Sequence, residues 1–291
     1  MGETGAGLIR RTKFTMADDW LVLFWVGFMH VGAFFAFFTF TWKALGVCLF
    51  LWWLTGGVGV CLGLHRYFTH RSYRTPKWVE YCLAFLACLA GESGPIAWVA
   101  AHRYHHINSD TEKDPHSPEQ GFLWAHMTWL FGRENFLTNR DSYKKYAPDM
   151  ANDRFLVLLD RYHMVPVFFM GGLLYVLGGW SFVVWGMFVR SVIVYHSTWL
   201  VNSAGHVWGY RSFETGEKSR NNWWVALLSF GEGWHNNHHA FQRSARHGFR
   251  WWEIDFTYIM IRVMEFLGLA SQVQVPVENA EMGMTRPRKN F

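Results

Sequence analysis

Three apolar stretches constrain this chain more than any other feature. A helix needs ~20 consecutive apolar residues to cross the hydrocarbon core of a bilayer. Leu21 to Phe40 meets that length, and so does Ala44 to Leu64. Only a short "TWK" lies between them, so the pair reads as a hairpin. A third block, from Val165 to about Val201, is too long for one span and carries Gly178 and Gly179 near its middle. It reads as two spans, 165–178 and 180–201, joined by a tight turn. The expected fold class is an all-α membrane protein: four transmembrane helices in two hairpins, with an interfacial helix and a helical cap. Charged residues make up 17% of the 291, enough to build that cap from about 65–163 and 202–270. The whole chain reads as one integral-membrane domain, its spans at about 21–40, 44–64, 165–178 and 180–201. The basic end, about 280–291, reads as a mobile tail. The first apolar run is too long for a cleaved signal peptide and reads as a retained span.

The segment Trp78 to Ala100 is apolar but interrupted by Glu80, Glu92 and Pro95. If it crossed the bilayer, His102 to His106 would lie ~30 Å from His65, too far to share a site. Lying along the interface instead, it keeps every histidine cluster on one side. Basic residues set the orientation. Arg10, Arg11 and Lys13 precede the first span, Arg66, Arg71, Arg74 and Lys77 follow the second, and the turn at 178–180 is uncharged. The positive-inside rule then places both termini and the cap in the cytoplasm. The net charge of +5 suits lipid headgroups and acidic protein partners, and no nucleic-acid motif is present. Cys48, Cys61, Cys82 and Cys88 all sit in apolar stretches without a C-x-x-C pair, which argues against disulfides and a zinc ribbon.

The spacing H-x-x-H-H occurs twice, at His102, His105 and His106 and at His235, His238 and His239. On a helix these side chains fall within a narrow arc, able to converge on one or two ions. The pair His65 and His70 would stand ~140° apart on an ideal helix, so the helix is expected to end there and let both rings turn inward. Neutral imidazole is the commonest metal ligand. Eight clustered rings exceed what one tetrahedral zinc uses and fit two ions, though ligand type alone does not choose among iron, zinc, copper and nickel. His30, His163, His126 and His247 read as structural. His196, inside the last span, is weighed more evenly because an ionisable residue at that depth tends to be functional. His116 in "DPH" is left open as a residue that could orient a ligand ring. Asp110, Asp114, Glu232 and Asp255 are candidate carboxylates behind the ligating rings.

The pieces "GLHRYFTHRSYRTP", "SGPIAWVAAHRYHHINSDTEKDPHSP", "NSAGHVWGYRSF" and "RNNWWVALLSFGEGWHNNHHAF" follow in order across roughly 50–270. Together they resemble the membrane fatty acid desaturases, more narrowly the Δ9 (stearoyl-CoA type) desaturases and their bacterial and plastid acyl-lipid relatives. The resemblance implies a cytoplasmic cap holding two iron ions, for which zinc can substitute on overexpression, with O2 as co-substrate. It adds His206 in "NSAGH" to the eight clustered ligands and Asn202 as a ligand through water. It also implies the activity, insertion of a cis double bond, Δ9 by that likeness, into a saturated acyl chain carried as a lipid or acyl-CoA. No fused haem or flavin module is visible, so electrons should come from ferredoxin or cytochrome b5. The bacterial-like pieces favour ferredoxin and a bacterial inner or thylakoid membrane over the endoplasmic reticulum. Two rival readings stand beside it: a histidine-rich hydroxylase of alkyl or lipid substrates, and a metal transporter. A transporter would place its ligands at mid-membrane, whereas these flank the spans.

Overall fold

A computed structural model describes residues 20–132 and 140–276; the basic tail at about 280–291 lies outside the described residues. Within them the chain is helical or loop, with only isolated β-bridges. Three helices are long and apolar enough to cross a membrane: Trp20–Phe38, Trp42–Thr69 and Met164–Val207. The first comprises α1 (Trp20–Phe34) and a 3-10 turn, Phe35–Phe38. The second opens as α2 (Trp42–Trp52), capped by the Thr41 hydroxyl accepting from the Ala44 N–H, and continues as a π-wound stretch, Trp53–Thr69. It runs five residues beyond the apolar block that ended at Leu64, so His65 lies on the helix.

α3 (Lys77–Cys88) is 12 residues long, too short to cross a bilayer. It lies against the π-wound stretch at close range. A Cβ on Gly59 would come within 2.8 Å of the Leu86 and Ala87 backbone, so only glycine permits this approach. α4 (Pro95–Asn108) follows, its first turn capped by Asp160 Oδ1, which accepts from Ile96 N–H at 2.8 Å and Ala97 N–H at 3.0 Å. Short helices α5 (Phe122–His126), α6 (Arg140–Tyr146), α7 (Pro148–Ala151) and α8 (Arg154–Arg161) complete this part of the cap.

α9 (Met164–Val183) carries non-helical dihedrals at Gly178 and Gly179, and at Gly179 they are φ 61° and ψ −155°. That region is essentially open to glycine alone. Beyond the break the chain doubles back. A Cβ on Gly171 would lie 2.9 Å from Met187 Sδ, and one on Gly186 3.0 Å from Leu174. These two pairings, symmetric about the glycines, define an antiparallel helical hairpin. The return leg continues through Val184–Val189 into α10 (Arg190–Asn202). The buried Arg190 guanidinium donates to Leu89 O at 2.8 Å and Gly186 O at 3.0 Å, tying the end of α3 to this leg. The second half of the cap holds α11 (Ala204–Val207), α12 (Trp223–Leu228), α13 (His235–Ala240) and α14 (Phe256–Phe266).

Candidate metal centre

Four pieces of backbone deliver the histidines. The π-wound helix presents His65, and His70 caps it. His70 N–H bonds back to His65 O at 3.2 Å, an i→i−5 bond that stacks one ring position over the other. The helix ends at Thr69, between the two histidines as expected, and the π winding of its last turn brings both rings to one face. α4 supplies His102, His105 and His106, α11 supplies His206, and α13 supplies His235, His238 and His239. α13 has only six residues and is held by the two asparagines inside its motif. Asn236 Oδ1 accepts from Ser212 N–H and Phe213 N–H at 2.7 and 2.8 Å. Asn237 donates to His247 O and Glu253 Oε2 at 2.8 and 2.9 Å.

The rings converge into two groups: His65, His70, His102, His106 and His238, and His105, His206, His235 and His239. Their Nε2 atoms meet head to head. His238 Nε2 lies 3.2 Å from His65 Nε2 and 3.1 Å from His106 Nε2, which is itself 3.0 Å from His102 Nε2. In the second group His235 Nε2 is 3.0 Å from His206 Nε2 and 3.1 Å from His239 Nε2. Carboxylates stand behind several rings. Glu232 Oε2 is 2.7 Å from His65 Nδ1, Asp114 Oδ2 is 2.9 Å from His105 Nδ1, and Asp110 Oδ1 is 3.1 Å from His206 Nδ1. A carboxylate in that position holds the proton on Nδ1 and leaves Nε2 a bare lone pair. Bare nitrogens facing one another repel unless a cation sits between them.

Electrostatics agree with that reading. Burial pushes His70, His102, His106, His235, His238 and His239 well below the ordinary imidazole value, and neighbouring imidazoles push the same way. These rings are neutral, the form that binds metal. For Glu232, burial works against the charge, yet Arg66, His65 and His247 hold it well below the usual carboxylate range. His105 departs from the pattern, since burial opposes its charge but Asp114 lifts it above the ordinary value. The donor set fits metal ions. Two nitrogens at right angles about one ion, each about 2.1 Å away, are about 3.0 Å apart, whereas tetrahedral neighbours are about 3.4 Å apart. The separations seen, 3.0 to 3.2 Å, are those of nitrogens able to share one ion.

All eight clustered histidines are brought together, and His206 joins them. Asn202 ends α10, half-buried. Of the four candidate carboxylates, three face ligand rings. Asp255 instead accepts from Arg66 Nη1 at 2.9 Å and caps α14. Glu217 went unnoticed in the sequence. It reaches His239 Nδ1 at 3.6 Å and His206 Nδ1 at 3.9 Å, from a polar stretch, "TGEKS", that gives no signal of burial. His247, read as structural, has its Nδ1 3.0 Å from Glu232 Oε2, and its ring lies 4.4 Å from that of His238. His116 takes the matching place beside Asp114, its ring 4.3 Å from that of His105. The four cysteines are free, as expected.

Nine converging histidines on a frame of long apolar helices describe a histidine-rich membrane metalloenzyme. Residues 40–270 match the fatty acid desaturase family, and the chain belongs to that family. It is 50% identical over 260 residues to an sn-1 stearoyl-lipid 9-desaturase of Anabaena variabilis, covering 88% of this chain and 94% of that one. It is 47% identical over 255 residues to an sn-2 palmitoyl-lipid 9-desaturase of Nostoc sp. (strain 36), covering 87% and 90%. An acyl-CoA C20 Delta5-desaturase of Anemone leveillei is 44% identical over 266 residues, covering 91% and 85%. The protein is a membrane oxidoreductase, a fatty acyl desaturase, and its histidine clusters are compatible with iron.

Proposed function

We propose that the protein is an O2-dependent desaturase that places a cis double bond at the Δ9 position of a saturated acyl chain, through a pair of iron ions held by its two histidine groups. The observation that carries this is the head-to-head meeting of Nε2 atoms at 3.0 to 3.2 Å in two adjacent groups. His65, His70, His102, His106 and His238 would hold one ion, with Asn202 reaching it through water. His105, His206, His235 and His239 would hold the other. The lipid 9-desaturases among the relatives support both the bond position and an acyl-lipid substrate. When bound, such a pair supplies the reduction of O2 that strips two hydrogens from adjacent methylenes. The balance is R–CH2–CH2–R′ + O2 + 2 e⁻ + 2 H⁺ → R–CH=CH–R′ + 2 H2O, so two one-electron carriers are consumed per double bond.

The chain's own groups do the rest. Glu232, Asp114 and Asp110 keep the protons of His65, His105 and His206 on Nδ1. The buried cap excludes water, which strengthens each electrostatic contact. The hairpin break at Gly178 and Gly179 supports reading Met164–Val207 as two spans, four in all, with termini and cap on the cytoplasmic face. The single-domain reading rests on α3 packed against the π-wound helix and Arg190 tied to Leu89, which join cap and spans. An acidic carrier, ferredoxin or cytochrome b5, would bring the electrons. The test is expression in a desaturase-deficient host, with gas chromatography of acyl chains by lipid class and bond position. Loss of one hydrogen each from carbons 9 and 10 is expected; an alcohol would establish hydroxylation instead.

A further inference from the structure

Beside the first histidine group, a cavity of about 460 Å³ opens on the cap, and Arg71, Arg74 and Arg243 line it without any carboxylate among the lining residues. Arg71 is spoken for: its Nε donates to Asp149 Oδ2 at 3.1 Å. That single carboxylate also accepts from Arg103, at 2.7 and 3.0 Å, so the pair of arginines outnumbers it. The exposed Arg74 and Arg243 side chains have no ion pair among the described residues. The Thr75 hydroxyl is buried without a hydrogen-bond partner. Gln272 holds φ at 49°, a conformation costly for a residue with a Cβ and kept only where the surroundings enforce it.

Those surroundings are stiff. Arg74 and Ser271 exchange two backbone hydrogen bonds, each 2.8 Å. Gln274 N–H donates to Ser72 O at 2.8 Å, Gln274 Nε2 to Arg71 O at 3.0 Å, and Ala245 N–H to Gln274 O at 2.7 Å. The segment 271–274 thus straps the cavity into shape before anything binds. Its position is equally specific, because Arg71 follows His70 directly in the chain. The cavity wall at Arg71 is thus one residue along the chain from a histidine of the first group.

We propose that this cavity is the docking site for the acidic surface of the electron carrier, whose carboxylates pair with Arg74 and Arg243. The inference rests on the reading that electrons arrive on a separate protein. Two observations favour a protein over a lipid phosphate or a free ion. The second long helix has 28 residues, about eight more than a bilayer core needs, so its end at Thr69 lifts the arginines clear of the hydrocarbon. A cavity of 460 Å³ also equals roughly 15 water volumes at about 30 Å³ each, far more than one oxyanion fills. A carrier docked here delivers each electron through His70.

The test uses the full-length, metal-loaded enzyme in bilayer discs, with turnover measured against the concentration of reduced [2Fe–2S] ferredoxin and, in parallel, of the soluble haem domain of cytochrome b5. In R74E/R243E the carrier concentration for half-maximal rate should rise about tenfold or more at low ionic strength, and the gap should shrink as salt is added. The rate at saturating carrier and the metal content should stay at wild-type levels. R74K/R243K should restore most of the affinity, and K43E, at the far end of the same helix, should change nothing. Identical carrier dependence in R74E/R243E and wild type overturns the proposal. So does an equal loss in K43E, or loss of binding to phosphatidylglycerol vesicles with carrier dependence intact. If neither carrier supports turnover in the wild type, the separate-carrier reading falls and takes this site with it.

Discussion

The molecule holds its histidines in two contrasting arrangements. In the cap nine rings converge, Nε2 against Nε2, with carboxylates behind them. Near the spans three rings stand in series. His30 Nδ1 donates to Val26 O at 2.7 Å, His30 Nε2 meets His196 Nε2 at 3.0 Å, and His196 Nδ1 meets His126 Nε2 at 2.9 Å. His126 Nδ1 then meets Ser203 Oγ at 3.0 Å. Each ring in the series uses both nitrogens on different partners, so no three lone pairs share a point, and no carboxylate pairs with any of them among the described residues. Ser203 Oγ also donates to Trp199 O at 2.8 Å, which carries the run on into the backbone. The series forms a polar seam between α1, α10 and α5, whereas in the cap several nitrogens face one shared point. How many nitrogens share a point, not how many histidines are present, separates a seam from a candidate metal site.

The largest expected effect breaks the contrast outright. His238→Ala removes the nitrogen shared by two head-to-head contacts and should lower desaturated product on the order of 100-fold or more, with metal content falling in parallel by elemental analysis. His196→Ala should leave the metal content intact. Next, Glu232→Gln keeps the shape but removes the charge behind His65 and His247. It should weaken metal binding about 10- to 100-fold, read by competition with a chelator. A third effect concerns the metal-free protein. Unfolded imidazoles take up protons below about 6.5, while burial holds His247 down to about 4 and His116 to about 3. Between those limits the unfolded chain binds more protons, so stability is full above about 6.5 and is lost as pH falls towards 4. Thermal midpoints in detergent should therefore drop from pH 7 to pH 5, and added metal should flatten the slope; an unchanged midpoint would contradict it. The smallest effect belongs to the seam. His196→Ala should cost about 1–3 kcal/mol, seen as a lowered midpoint of a few degrees.

Much of this was legible in the sequence for specific physical reasons. Apolar run length located the three long helices, and the paired glycines located the break. The H-x-x-H-H spacing predicted convergence because helical periodicity is local. The helix end between His65 and His70 was legible, but its π winding was not, since nothing local announces i→i−5 bonds. Glu217, and the carboxylate sharing by His247, were illegible because they depend on loops that meet only in the folded cap, whereas His116 stands two residues from Asp114 and was left open. Asp255, one of four candidates in the sequence, caps α14 and pairs with Arg66, a partner that only the fold brings to it. His30 and His196, 166 positions apart, could be paired only in three dimensions.

The break at Gly179 has a mechanical consequence. From Met164 to the glycines there are about 14 residues, or about 21 Å of helix, against a hydrocarbon thickness of ~30 Å. On the proposed two-span reading, a leg that short calls for local thinning of the bilayer beside it.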